Sequence, residues 1–217
     1  MKEVKKVFAK GYCFKKIFFI FIIGCIIGAY YEEIGFIFRH GYWEPRRGLL
    51  YGPFSPVYGI SLAAVVIMFG NKEKLKSYKV YLYCALLGGV FEYTLSVIQQ
   101  FIFHSRSWNY DNYFLNIGGR TTVIFMLIWG FMGLIFIKVI YPKTSSLIEK
   151  IAYNIGQILY KILLIFMIFN IFMSLAATLR QVERKKGNSP VTFIGRICDD
   201  FYPDSVIKKI YRNSVDE

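Results

Sequence analysis

Ile17-Phe18-Phe19-Ile20-Phe21-Ile22-Ile23-Gly24-Cys25-Ile26-Ile27-Gly28-Ala29-Tyr30-Tyr31-Glu32-Glu33-Ile34-Gly35-Phe36-Ile37-Phe38 is apolar throughout, except for two adjacent glutamates near its close. Its length matches the roughly 20 residues an α-helix needs to cross the ~30 Å hydrocarbon core of a bilayer. An ionisable group at that depth costs about 2.5–3.5 kcal/mol on insertion scales unless it faces protein or water. The stretch therefore marks a membrane crossing and two acids that have to be partnered or used.

The same pattern recurs along the chain. Further spans are predicted at 78–103, 117–141 and 155–179, with a short one at 57–70 that has a non-standard entry from about residue 49. Lys138 and Lys161 sit near span ends, where long side chains can snorkel. The chain has 217 residues, 55% of them hydrophobic and 19% aromatic, and a mean hydropathy of +0.41. This is the composition of a polytopic membrane protein. The expected fold is all-α: a bundle of about five transmembrane helices over 1–180, followed by a short amphipathic tail over 181–217. In that tail Ile194, Ile197 and Phe201 recur at helical spacing, as do Val206, Ile207 and Ile210, with Pro203 between the groups.

Before the second span, Gly48-Leu49-Leu50-Tyr51-Gly52-Pro53-Phe54-Ser55-Pro56-Val57-Tyr58-Gly59 cannot be regular helix, because Pro53 and Pro56 forbid it. Irregular backbone at membrane depth survives only against protein or a watery cavity. The segment is either re-entrant or a packed interfacial turn.

The formal net charge of +13 would point to nucleic acid in a soluble domain. Here the lysines and arginines gather at the ends of apolar runs, as topology signals do, and no nucleic-acid motif accompanies them. Cys13, Cys25, Cys84 and Cys198 lack ligand spacing and read as small buried hydrophobes. No spacing around His40 or His104 makes a metal site, and no cofactor or ATP-binding motif is present. The basic N-terminus followed by an apolar run reads as an uncleaved first span rather than a signal peptide.

Lysines before span 1 and at 72, 74, 76, 79, 143 and 150 outweigh Arg39, Arg46, Arg47 and Arg106 on the alternate side, which predicts a cell-membrane protein with a cytoplasmic N-terminus. Five crossings then put the tail outside, against the preference of Arg180, Arg184, Lys185 and Lys186.

Helical rise places Glu32 and Glu92 each about 9 Å below the outer surface, with Arg120 roughly one turn into span 4 from the same side. The expected ligand-binding set is Glu32, Glu33, Arg47, Tyr58, Glu92, Tyr93, Trp108, Tyr110, Asp111, Asn116, Arg120 and Arg180. Two readings are open: a polar pocket in the outer leaflet, or a buried Glu–Arg pair that sets helix register.

Arg47-Gly48-Leu49-Leu50-Tyr51-Gly52-Pro53-Phe54-Ser55-Pro56-Val57-Tyr58-Gly59, with Glu92-Tyr93, Trp108-Asn109-Tyr110-Asp111, Asn116-Ile117-Gly118-Gly119-Arg120 and Tyr202-Pro203-Asp204, resembles the CmpB family of type IV ABC-transporter permease-like proteins. The likeness covers about residues 24–213. Where the family often has Trp-Asp-Tyr-Ser this chain has Trp108-Asn109-Tyr110-Asp111, so the acid has moved by two residues. The resemblance implies transport, which for so few spans calls for a homo-oligomer and a separate ATPase subunit among membrane lipids. The other readings are an enzyme acting on a lipid or lipid-linked substrate, with Glu92 as general acid/base, and a non-catalytic partner that works through its tail.

Overall fold

The computed structural model describes residues 6–71, 75–212 and 215–216; Lys2, Lys5, Lys72 and Lys74 of the charge comparison lie outside the described residues. In chain order the helices are α1 (Phe14–His40), α2 (Pro56–Phe69), α3 (Ser77–Phe103), α4 (Val123–Ile135), α5 (Tyr141–Glu149), α6 (Tyr153–Lys185), α7 (Phe193–Phe201) and α8 (Asp204–Ile210). A π-helical turn at Phe136–Ile140 joins α4 to α5 without a break. Two-residue strands β1 (Ser105–Arg106) and β4 (Val215–Asp216) pair antiparallel, as do β2 (Asn116–Ile117) and β3 (Thr121–Thr122).

Among the described residues four stretches are long and apolar enough to cross a membrane: Phe14–His40, Ser77–Phe103, Val123–Glu149 and Tyr153–Lys185. α2, with 14 residues, reaches only about 21 Å. The expected fourth span is also displaced, starting at Val123 rather than 117. Gly118 and Gly119 adopt φ of 58° and 64°, a region open to glycine, and fold 116–122 into a hairpin. Thr122 then caps the helix, its Oγ1 accepting from the Phe125 N–H at 3.0 Å.

The Gly/Pro segment is irregular backbone that descends from the loop end into the bundle before α2 begins. Ser55 N–H donates to the Cys25 carbonyl (2.9 Å). Tyr51 N–H donates to Asn170 Oδ1 (3.1 Å), and Asn170 Nδ2 returns a bond to the Tyr51 carbonyl (2.8 Å). Cys25 and Asn170 each lie fifteen residues from the loop-side end of their helix, about 22 Å down. Leu50 N–H is taken by Ser174 Oγ (2.9 Å), Gly48 N–H by the Phe54 carbonyl (2.8 Å) and Phe54 N–H by the Gly52 carbonyl (3.0 Å). Pro53 and Pro56 have no N–H to satisfy. Non-helical backbone thus sits in mid-bundle with its polar groups paired, as an apolar surround demands. α2 starts there and finishes where α1 begins, since Tyr12 hydroxyl donates to the Ile67 carbonyl (3.1 Å).

That start requires close approach of α1 and α2. A Cβ on Gly59 would lie 2.6 Å from the Phe21 carbonyl oxygen and closer still to Cys25 Sγ. At the lysine-bearing end Lys16, only 1% exposed, is held by Glu149 and by Ser145 Oγ (2.7 Å).

The tail packs against the loop end of the bundle. Leu50, Met173, Ala177, Cys198, Ile207 and Ile210 form a second apolar core there. Tyr51 and Tyr202 share a hydrogen bond between their hydroxyls. Arg180, 5% exposed, makes a bidentate pair with Asp199 (2.8 and 2.9 Å). Arg184 bridges Asp199 (2.7 Å) and Asp204 (2.8 Å) and caps the Tyr202 carbonyl (2.9 Å).

Gly59→Ala is expected to cost about 1–3 kcal/mol by overpacking, read as a lower Tm in detergent. Gly35→Ala, whose methyl would meet nothing nearer than 3.7 Å, should leave Tm unchanged or raised. Hydrogen bonds from Arg180, then from Arg184, hold the Asp199 carboxyl below its ordinary 3.8 despite burial. A depressed folded value means the attachment is at full strength above pH 3.8 and is lost as pH falls through the folded value. Hydrogen exchange over 193–210 should therefore accelerate only on acidification below that point, and should be fast at every pH in Asp199→Asn.

Candidate functional site

The apolar seam between the α1–α2 and α3–α4 hairpins is crossed by polar groups at one level. Glu32, half-buried on α1, lies beside the Tyr58 hydroxyl of α2. Glu92 of α3 is 8% exposed. It accepts from Thr121 Oγ1 (2.7 Å) and from the Tyr110 hydroxyl (3.3 Å). The Trp129 ring packs between the two acids: its centroid lies 6.0 Å from that of Tyr58, and its indole nitrogen points towards Glu92 but is buried without completing a hydrogen bond. Tyr110 stacks on Phe125 with centroids 4.9 Å apart. Burial, then the neighbouring Glu92 carboxylate, pushes the Tyr110 phenol well above its ordinary value. Its hydroxyl therefore stays protonated and can donate. The arrangement is two carboxyls from different hairpins, held by neutral hydroxyls and walled by aromatic rings.

Arg120 is not a partner of either acid. It lies in the β2–β3 turn rather than one turn into α4. Its guanidinium bonds Ser96 Oγ (3.0 Å) and Gln100 Oε1 and sits 5.9 Å from the centre of the Tyr93 ring. The expected convergence of Glu32, Glu92 and Arg120 is thus corrected. The glycine turn at 118–119 carries Arg120 back over α3, away from the carboxyls.

Trp108, Asp111 and Asn116 build the loop rather than enter the seam. Trp108 Nε1 donates to the Arg120 carbonyl (2.9 Å). Asn116 Nδ2 donates to the Asp111 carbonyl (3.1 Å), and its Oδ1 accepts from Gly119 N–H (3.1 Å). The Asp111 carboxylate lies against Gly119, where any Cβ would collide with it. These bonds aim Tyr110 at Glu92, so the displaced acid of the Trp108–Asp111 motif has a scaffolding place here.

Arg180 belongs to the tail lattice. Glu33, 6% exposed, accepts from the Arg46 N–H (3.3 Å). Arg46 pairs with Glu44 (3.4 Å), and Glu44 also takes Arg212 (3.3 Å). Arg47 stands beside this cluster. Thr121, Trp129 and Arg46 were not among the expected residues. Trp129 is hidden inside an apolar run, and Thr121 and Arg46 acquire partners only through the loops. Asn170 and Ser174 did carry a signal, a polar pair four residues apart in an otherwise apolar helix. The groove lined by Phe14, Phe18, Phe21, Ile60, Ala64 and Ile67 is apolar and has nothing with which to recognise a polar solute.

No curated protein and no solved structure matches the chain. A family model described as "Putative ABC-transporter type IV" matches residues 19–175. The match takes in most of α1, the irregular Gly/Pro segment, the glutamate-bearing α3 and most of α6, and stops before the tail. Spanning well over half of the 217 residues, it makes this chain a member of that family of ABC-transporter-type, multi-pass membrane proteins.

Proposed function

We propose that the protein is a membrane subunit of an ABC-type transport system in the cell membrane. Its N-terminus would be cytoplasmic, and the Glu32–Tyr58 and Glu92–Tyr110–Thr121 groups would meet the solute from the outer side. The observation that carries this reading is the pair of carboxyls on separate hairpins, each met by a tyrosine hydroxyl on its own side of an apolar seam, beside irregular backbone packed inside the bundle. Interrupted helices beside membrane-depth polar groups are what transporters use to expose a site without opening the bilayer. The chain contains no motif for ATP hydrolysis, so energy would come from a separate ATPase subunit, docked at the lysine-rich end. A homo-oligomer would complete the path.

Glu92 held by two hydroxyls also favours a second reading, an enzyme acting on a lipid-linked substrate with Glu92 as general acid/base. A regulator working through its tail is less favoured, because Asp199 of α7 and Asp204 of α8 are turned onto Arg180 and Arg184 of the same chain.

Isolation from native membranes in mild detergent should yield an ATPase subunit in fixed ratio. Solute uptake lost on deletion of the protein should return with the wild type. With Glu92→Gln or Glu32→Gln it should be at least about tenfold weaker, the scale of a lost charge-assisted hydrogen bond, at unchanged Tm. Unfolding of Glu92→Gln would make that carboxyl a structural peg. Absence of both an ATPase and an uptake defect would remove the transport reading, and loss of a lipid modification instead would favour the enzyme.

A further inference from the structure

Of the three arginines suited to holding an anion, two are spent inside the protein. Arg180 is committed to Asp199, Glu183 and the Asn188 carbonyl, and Arg120 to Ser96 and Gln100. Arg47 differs. Among the described residues it has neither an ion-pair nor a hydrogen-bond partner, and its Nε is buried without an acceptor. The nearby carboxylate of Glu44 is already shared by Arg46 and Arg212.

A second buried polar group lies nearby. The Tyr211 hydroxyl is buried and unbonded, within electrostatic reach of Arg47 and beside Ser174 and Thr178 of α6.

A guanidinium is always charged and offers a planar fork that fits phosphate. Left buried without an acceptor, such donors are costly. The level is suitable: Thr178 lies about 10 Å below the end of α6, where the apolar run gives way to Arg180 and headgroups meet acyl chains.

We propose that Arg47, with Tyr211 beside it, forms a binding site for a phosphate oxyanion, supplied by an anionic phospholipid headgroup or by a phosphate-bearing solute. The site is separate from the carboxyl–tyrosine groups and does not depend on the transport reading. Arg47 Nε, buried without an acceptor, and the Tyr211 hydroxyl within its electrostatic reach come from distant parts of the chain and define it.

The test uses the full-length protein in a neutral detergent, with Tm as readout against short-chain phosphatidylglycerol, inorganic phosphate and a phosphate-free monoacylglycerol. Phosphatidylglycerol, inorganic phosphate or both should raise the Tm of the wild type, and the monoacylglycerol should not. A response to phosphatidylglycerol alone identifies a lipid source, and an equal response to inorganic phosphate identifies a solute. Arg47→Gln should abolish the shift, Tyr211→Phe should weaken apparent affinity roughly tenfold, and the exposed control Arg196→Gln should behave as wild type. If Arg47→Gln does not fold, Arg47→Lys, which keeps the charge but loses the fork, should bind more weakly. No stabilisation by either phosphate probe, equal stabilisation by the monoacylglycerol, or undiminished affinity in the Arg47 or Tyr211 variants would overturn the proposal.

Discussion

Peptide groups in the middle of an apolar bundle need partners, and the rest of this architecture depends on how the broken backbone between Gly48 and Ser55 finds them. The Asn170 side chain presents its amide to both sides of the Tyr51 peptide, as a neighbouring strand would, and Ser174 and the Cys25 carbonyl take the next donors. With those groups satisfied, α2 can begin near mid-depth. That start in turn places Tyr58 opposite Glu32 and brings Gly59 against α1. The tail completes the enclosure by setting Tyr202 on Tyr51 and closing a small apolar core over Leu50.

Charge is distributed by type as well as by sign. The arginines lie at the loop end, in the loops, at the close of α1 and α6, and in the tail. The N-terminal segment and the far ends of α2, α3 and α5 carry lysine instead. The guanidinium's rigid fork suits fixed pairing, and Arg180, Arg184, Arg46 and Arg212 use it to tie the tail and the first loop to the bundle. A lysine is a flexible point charge and serves well as a topology signal. Glu92 stands apart from this lattice, Glu32 lies within electrostatic reach of Arg46 and Arg39, and in the seam both acids meet neutral hydroxyls. An acid held that way keeps a site adjustable, whereas one locked to arginine would act as a fixed strut.

Much of the fold was legible in the residues. The predicted span at 78–103 is α3 at Ser77–Phe103, and the helical spacing on either side of Pro203 became α7 and α8. The prolines at 53 and 56 excluded regular helix, as found. The hairpin before α4 was missed because an apolar window averages over Gly118-Gly119, whose backbone freedom outweighs the hydropathy of their neighbours. Depth followed from helical rise, but rise says nothing of azimuth. Glu32 and Glu92 were set at a similar level by counting alone, whereas the direction in which Arg120 points required the turn.

The amino-acid sequence by itself determined that the chain crosses a membrane several times, that one crossing is interrupted, and that acids occur where lipid would not tolerate them alone. Those conclusions follow from solvation, which acts residue by residue. Tertiary structure alone decided which partner each polar group received: Asn170 for the buried Gly/Pro peptide, Tyr58 and Tyr110 for the carboxyls, Asp199 for Arg180, and none among the described residues for Arg47. Hydrogen bonds are directional and short, so their pairing depends on how helices and loops meet in space, which no local stretch of residues encodes.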